Sequence, residues 1–121
     1  SECVDGLVSD LGGVALQKAR LDVPLARGDA DYPVRCPTGE ARRTTAGDLA
    51  PLFPLGLVHA VAPFFGDDRW RDHLEKAYES AFAEAFDDRT KVVLTPLLGA
   101  GSRGAPVPEA AAVAAAAVAA A

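Results

Sequence analysis

The sequence predicts an α/β fold with at least partly parallel strands, and three observations carry that reading. Short apolar runs rich in Val and Leu, flanked by Gly or Pro, recur at residues 4–8 (VDGLV), 57–63 (LVHAVAP) and 91–98 (KVVLTPLL), as buried strands do. Between the last two runs, Trp70, Leu74, Ala77, Tyr78, Ala81, Phe82, Ala85 and Phe86 repeat at intervals of three and four, which puts one apolar stripe on a helix. After the third run, a glycine-rich turn leads into a helix-prone tail. Strands alternating with helices pack in layers around one core.

Taken in chain order, each element has its own reason. Residues 4–8 are read as a strand, and GGVALQKA from Gly12 to Ala19 starts a short helix. The stretch CPTGEARRTTAGDL, with Thr44 and Thr45 in alternation, reads as a shorter strand near a sheet edge. The long helix carries Arg71, Asp72, Glu75, Lys76, Glu79 and Glu84 opposite its apolar stripe, and that charge run is a solvated face. Residues 107–121 form a low-complexity, alanine-rich helix with Pro108 and Glu109 suited to its first turn. It falls short of the roughly 20 apolar residues that span a bilayer. An alanine face also buries less area than Leu or Ile.

Bulk composition narrows the function classes. At 121 residues and 50% hydrophobic composition, the chain is read as a single domain, 1–121, with no internal repeat. A formal charge of −5 lacks the basic face that nucleic acid requires, so nucleic acid is not an expected partner. The cysteines, Cys3 and Cys36, form no CxxC and no metal-ligand spacing with histidine, so no zinc site is expected, while a single bridge between them is left open. With no Met and Ser1 first, the chain reads as a processed or trimmed polypeptide, compatible with an organelle but with its compartment undetermined.

VVLTPLLGAGSRGAP, residues 92–106, is the stretch with most chemical promise. A strand that ends in a flexible turn and feeds a helix gathers backbone N–H groups and the positive end of a helix dipole around one cavity, where anions fit. Gly99, Gly101 and Gly104 allow close approach, Ala100 is small, Ser102 offers a hydroxyl, and Arg103 offers a charge-assisted bond to a phosphate oxygen. The plainer reading is that these glycines only turn the chain. The loop has neither the GK[ST] of a P-loop nor a GxGxxG.

Three stretches in one order resemble the macro domain family. LTPLLGAGSRGAP is similar to its P-A-I-G-T-G-I-Y-G-Y-P; CPTGEARRTTAGDL followed by LVHAVAP is similar to C-x-x-G-E-A-x-x-T-x-G-x-x-L and V-I-H-x-V-G-P; VDGLVS followed by LGGVA is similar to V-D-A-I-V-N-A-A-N and G-G-G-G-V-A. The resemblance implies a three-layer α/β/α sandwich, here with a reduced mixed sheet of about four strands, and ADP-ribose as ligand rather than a resident cofactor. It further implies that Gly99, Ala100, Gly101, Ser102, Arg103 and Gly104 wrap diphosphate and distal ribose while Gly12 and Gly13 close from the other side.

The departures from the family pattern fall on its ligand chemistry. Ser9 stands where the first asparagine of Asn-Ala-Ala-Asn is expected, and Asp10 and Leu11 lead straight to Gly12. Ala15 occupies the place where one hydrolase branch carries an aspartate, and Arg103 replaces the usual Tyr or Phe. Family topology sets an opening and a closing strand beside residues 91–98; without them that segment is an apolar edge that other protein subunits are expected to cover.

The remaining polar residues are assigned structural duties. His59 is expected to be a hydrogen-bonded core histidine, His73 a surface residue, and Asp67 and Asp68 supports of a helix start. Glu40 has no assigned catalytic duty, and nothing in the spacing of Asp5 and Asp10 makes them a paired-carboxylate site. No catalytic or metal-ligating residue is assigned. The functional expectation is therefore a catalytically degenerate macro-like domain acting as a structural or accessory component of a complex. A retained ADP-ribose-type binding module is the alternative, and an ADP-ribosyl hydrolase is the third reading.

Overall fold

The computed structural model describes residues 4–121. In chain order it comprises α1 (Val4–Leu21), β1 (Ala41–Thr44), a 3₁₀ turn (Gly47–Leu49), β2 (Leu57–Ala60), α2 (Trp70–Ala85) and α3 (Val107–Ala120). Cys3, and with it the open question of a Cys3–Cys36 bridge, lies outside the described residues.

Residues 4–8, expected as a strand, are instead the first turns of α1. A short apolar run with no neighbouring strand has unpaired backbone groups, and a helix satisfies them within the segment. Side chains reinforce that choice: Ser9 Oγ donates to the Asp5 carbonyl at 2.9 Å, and Arg20 reaches back to Ser9 Oγ and to the Asp5 carboxylate. The helix is not continuous. Gly13, at φ 67° and ψ −163°, kinks it. The helix expected over Gly12–Ala19 therefore exists, with its two glycines at the bend.

β1 and β2 pair antiparallel, with Ala41 opposite Ala60 and Thr44 opposite Leu57. The expected parallel arrangement is corrected here: the pairing is antiparallel, and residues 45–56 between the two strands hold a 3₁₀ turn rather than the α-helix that usually carries a parallel crossover. The expected sheet of about four strands is also corrected, because among the described residues the sheet has two. Residues 91–97 carry no ladder. Their strand-like composition finds no neighbouring backbone to pair with, Pro96 removes one donor, and Val92 and Leu94 are each 78% exposed.

α2 follows its predicted stripe. Trp70, Leu74, Ala77 and Tyr78 are buried, and Phe82 packs at the margin. Phe86 lies just past the helix end and is exposed. With Ala62, Ala105, Ala110 and Val113, these α2 residues form the core between α2, α3 and the ends of the connecting loops. α3 contributes one narrow face: Ala110 and Val113 are fully buried, while most of its remaining alanines and Val118 face outward.

The sheet joins this core through its Ala41 and Arg43 face. Arg43 donates to the Glu84 carbonyl and to the Asp87 carboxylate at the end of α2, and Ser80 Oγ donates to the Gly39 carbonyl. Hydrogen bonds from the Arg89 amide and the Arg43 and Arg89 guanidinium groups hold the Asp87 carboxyl down at about 2.

α1 packs on the 3₁₀ turn, with Leu16 fully buried beside Ala46 and Leu49. Gly47 permits this contact. Its φ is 58°, and a β-carbon there would lie 2.5 Å from Leu16 N and 2.6 Å from the Gly12 carbonyl oxygen. Both obstacles are backbone, which cannot swing aside. Gly47→Ala is therefore expected to destabilise the chain by about 3 kcal/mol, the sum of a left-handed alanine and a main-chain overlap. Urea unfolding of both proteins measures it, and an unchanged midpoint would rule out this contact as drawn.

Candidate functional site

The loop between residue 97 and α3 is pinned from below and open above. A turn bond runs from Ala100 N–H to the Leu97 carbonyl at 3.4 Å, with Gly99 at φ 85°. Leu98 N–H donates to the Tyr78 hydroxyl at 3.0 Å, which ties the loop to α2. Ala105 N–H closes the loop on the Gly99 carbonyl at 2.9 Å, and Gly104 N–H bonds the Gly101 carbonyl at 3.0 Å.

What remains unbonded sits together. Among the described residues, the amide N–H groups of Gly99, Gly101, Ser102 and Arg103 have no intramolecular acceptor, nor does the Ser102 hydroxyl have a partner. Successive free amides in a tight turn are the elements of an anion nest. Gly101 and Gly104 leave open space where a side chain would stand. The Arg103 guanidinium lies 4.1 Å from the Phe64 ring centroid, while its carbonyl accepts from Phe65 N–H at 2.9 Å. Its cation is thus held over an aromatic face at the rim of the loop.

Phe64 also lines an open depression of about 550 Å³ that reaches Thr38, Gly66, Asp67, Arg69 and His73. Asp67 accepts from Arg69 N–H at 2.8 Å and pairs with His73 Nδ1 at 2.7 Å. The His73 and Arg69 bonds hold the Asp67 carboxyl below its usual range. The expected capping by Asp67 and Asp68 is corrected here: Arg69 is the N-cap, no side chain caps α2, and Asp67 instead accepts from the Arg69 amide in the turn just ahead of the helix. His73 is half-exposed and bonded to that carboxylate, a pairing the sequence reading did not foresee.

Gly12 and Gly13 have different neighbours. Gly12 is buried against Leu16, and a β-carbon on Gly13 would run into the Asp48 carboxylate. These two glycines serve the packing of α1 on the 3₁₀ turn, whereas the 99–104 loop rests on α2, Phe64 and Phe65. Ala15 is exposed on α1 just past the kink.

His59 is hydrogen-bonded as expected but sits half-buried on β2 rather than in the core. Its Nε2 lies 2.8 Å from Thr44 Oγ1, and that hydroxyl donates its own proton to the Thr45 carbonyl at 2.8 Å. Thr44 Oγ1 thus bridges the imidazole and the Thr45 carbonyl across the β1–β2 pair. Cys36 carries a free thiol near the His59 carbonyl, and burial pushes it up from its ordinary pKa. Among the described residues no three His, Cys, Asp or Glu side chains gather as for a metal ion, and no helix is long and apolar enough to cross a membrane.

Three contributors escaped sequence reasoning. Tyr78 and Trp70 were legible only as members of an apolar stripe and Phe64 carried no signal of its own, because which side chain meets the loop is decided only once the loop lies over the helix.

Burial lowers the His59 pKa below its ordinary value, with the Arg20 charge adding to the effect and Asp5 opposing it. The unfolded chain thus takes up this proton at a higher pH than the folded one. The contribution to stability is complete above about pH 6.5 and is lost as pH falls below it. His59→Gln should flatten the fall in thermal midpoint below that pH; an identical slope in both proteins would remove His59 as its source.

Comparison with known proteins agrees with this arrangement of motifs. The Macro domain family model matches residues 1–114. A macro domain-containing protein of Vibrio parahaemolyticus, VPA0103, is 35% identical over 114 residues, covering 92% of this chain and 61% of the relative. A second, the macro domain-containing protein in the gbd 3′ region of Cupriavidus necator, is 33% identical over 117 residues, covering 95% of this chain and 62% of the relative. The chain thus spans about three fifths of the length of these curated relatives. On the family match and the identity to these two relatives, the chain belongs to the macro domain family, a family of ADP-ribose-binding modules.

Proposed function

We propose that this domain grips the diphosphate of an ADP-ribose-type nucleotide through residues 99–104, without hydrolysing it, and works as an accessory module. The observation that carries the reading is the set of unpartnered amides at Gly101, Ser102 and Arg103, joined by a guanidinium stacked on Phe64. Gly12 and Gly13 belong to the proposal on the family resemblance alone, as the residues that face the ligand from the other side. Hydrolysis is not part of the proposal. Ala15 has no proton to exchange, and His59 is hydrogen-bonded to Thr44 within the two-stranded sheet.

Calorimetric titration with ADP-ribose tests this directly. A single binding event is expected, with no release of ribose product, and Arg103→Ala should weaken it about tenfold by removing a charge-assisted bond. Absence of heat from a demonstrably folded chain would remove the reading.

A second, structural role has its own support. Val92 and Leu94 are exposed on an extended, unladdered segment, and Val4, Leu7, Leu11 and Val14 are exposed along α1. Apolar surface of this kind is a docking surface for other protein subunits. Light scattering is expected to show concentration-dependent association of the isolated chain, reduced when Val92 and Leu94 are both replaced by Lys. A monomer at every concentration would count against that role.

A further inference from the structure

One peptide in the 97–105 loop is unanchored between two that are anchored. Ahead of it, the Leu97–Leu98 peptide is held at both ends, by Leu98 N–H donating to Tyr78 Oη and by the Leu97 carbonyl accepting from Ala100 N–H. Behind it, the Gly99–Ala100 peptide is held by that same Ala100 bond and by the Gly99 carbonyl accepting from Ala105 N–H. The Leu98 carbonyl and the Gly99 N–H between them have no partner among the described residues. A bond from Ala100 N–H to the Leu97 carbonyl, with glycine third and φ 85° there, marks a type II β-turn. Half a rotation of its central peptide gives type I without displacing the flanking peptides, and glycine accommodates both.

Beneath this peptide lies a donor without an acceptor. Trp70 is 8% exposed, and its Nε1–H is the buried side-chain polar group left unsatisfied among the described residues. It faces the loop at Gly99, where a β-carbon would lie 3.9 Å from Nε1. Phe65 packs edge-on against the indole at 5.1 Å and fixes its orientation. Buried indole N–H groups ordinarily find an acceptor, and leaving one unmade is costly.

We propose that Trp70 is a positioning residue for the loop: rotation of the Leu98–Gly99 peptide turns the Leu98 carbonyl inward onto the indole N–H and the Gly99 N–H outward onto a bound diphosphate oxygen. Across a trans peptide the C=O and N–H point in opposite directions, so one rotation serves both bonds. An anion above and an indole below favour the same state of one peptide, and each strengthens the other. This inference rests on the diphosphate-binding reading and adds to it the internal residue that orients the Gly99 amide.

The chain has one tryptophan, so an isotope-labelled sample gives a single indole N–H resonance. Titration with ADP-ribose, and separately with inorganic pyrophosphate, is expected to move the Gly99, Gly101 and Ser102 amide signals. The indole proton should shift downfield in step with them and exchange more slowly with solvent. Trp70→Phe, which keeps an aromatic ring but loses the donor, should weaken ADP-ribose binding about fivefold, the worth of one hydrogen bond. Amide shifts with an unmoved indole signal would overturn the inference and leave diphosphate binding standing. No shift at any of these groups would overturn both.

Discussion

The Tyr78 hydroxyl is the hinge pin of this molecule. Its ring is 1% exposed in the core between α2 and α3, while its oxygen accepts the Leu98 N–H at the start of the glycine loop. A buried hydroxyl without a partner would cost about 1–3 kcal/mol, and so would the stranded amide. The bond therefore fixes where the chain crosses α2, and with it the position of Gly99 over Leu74 and Trp70. Burial raises the Tyr78 pKa, and the bond from the Leu98 amide works against that rise. α3 begins shortly after the loop closes at Ala105, and its placement follows from the same anchor.

Local pattern and final structure agree where a segment carries its own reasons. The stripe from Trp70 to Phe82 specifies α2 because burial of those side chains and the helical period point the same way. Alanine propensity specifies α3, and the threonine and valine runs specify β1 and β2. Agreement ends where the deciding interaction is remote. VDGLV and KVVLT have strand composition, but a strand exists only beside another. With none adjacent, the first coils into α1 and the second stays extended and unladdered.

The candidate site divides along the same line. Glycines at 99, 101 and 104 announced a tight turn ahead of a helix, and that much was readable from residue type and order. The stacking of Arg103 on Phe64 joins residues about forty positions apart, and no periodicity foretells it. Gly12 and Gly13 show the converse. Their residue type suggested ligand contact, yet the structure uses them to admit Leu16 and Asp48 to a close packing of helix on turn. A glycine marks the need for close approach and says nothing of what approaches.

The near-uniform alanine surface of α3 has a mechanical consequence. When successive turns of a helix present almost the same small side chain, sliding it along its neighbour exchanges one alanine contact for another, and the packing energy changes little with axial position. Val113 is the one larger side chain fully buried on that face and so acts as the detent. Because α3 begins two residues after the loop closes at Ala105, the seat of that one side chain also sets where the glycine loop ends.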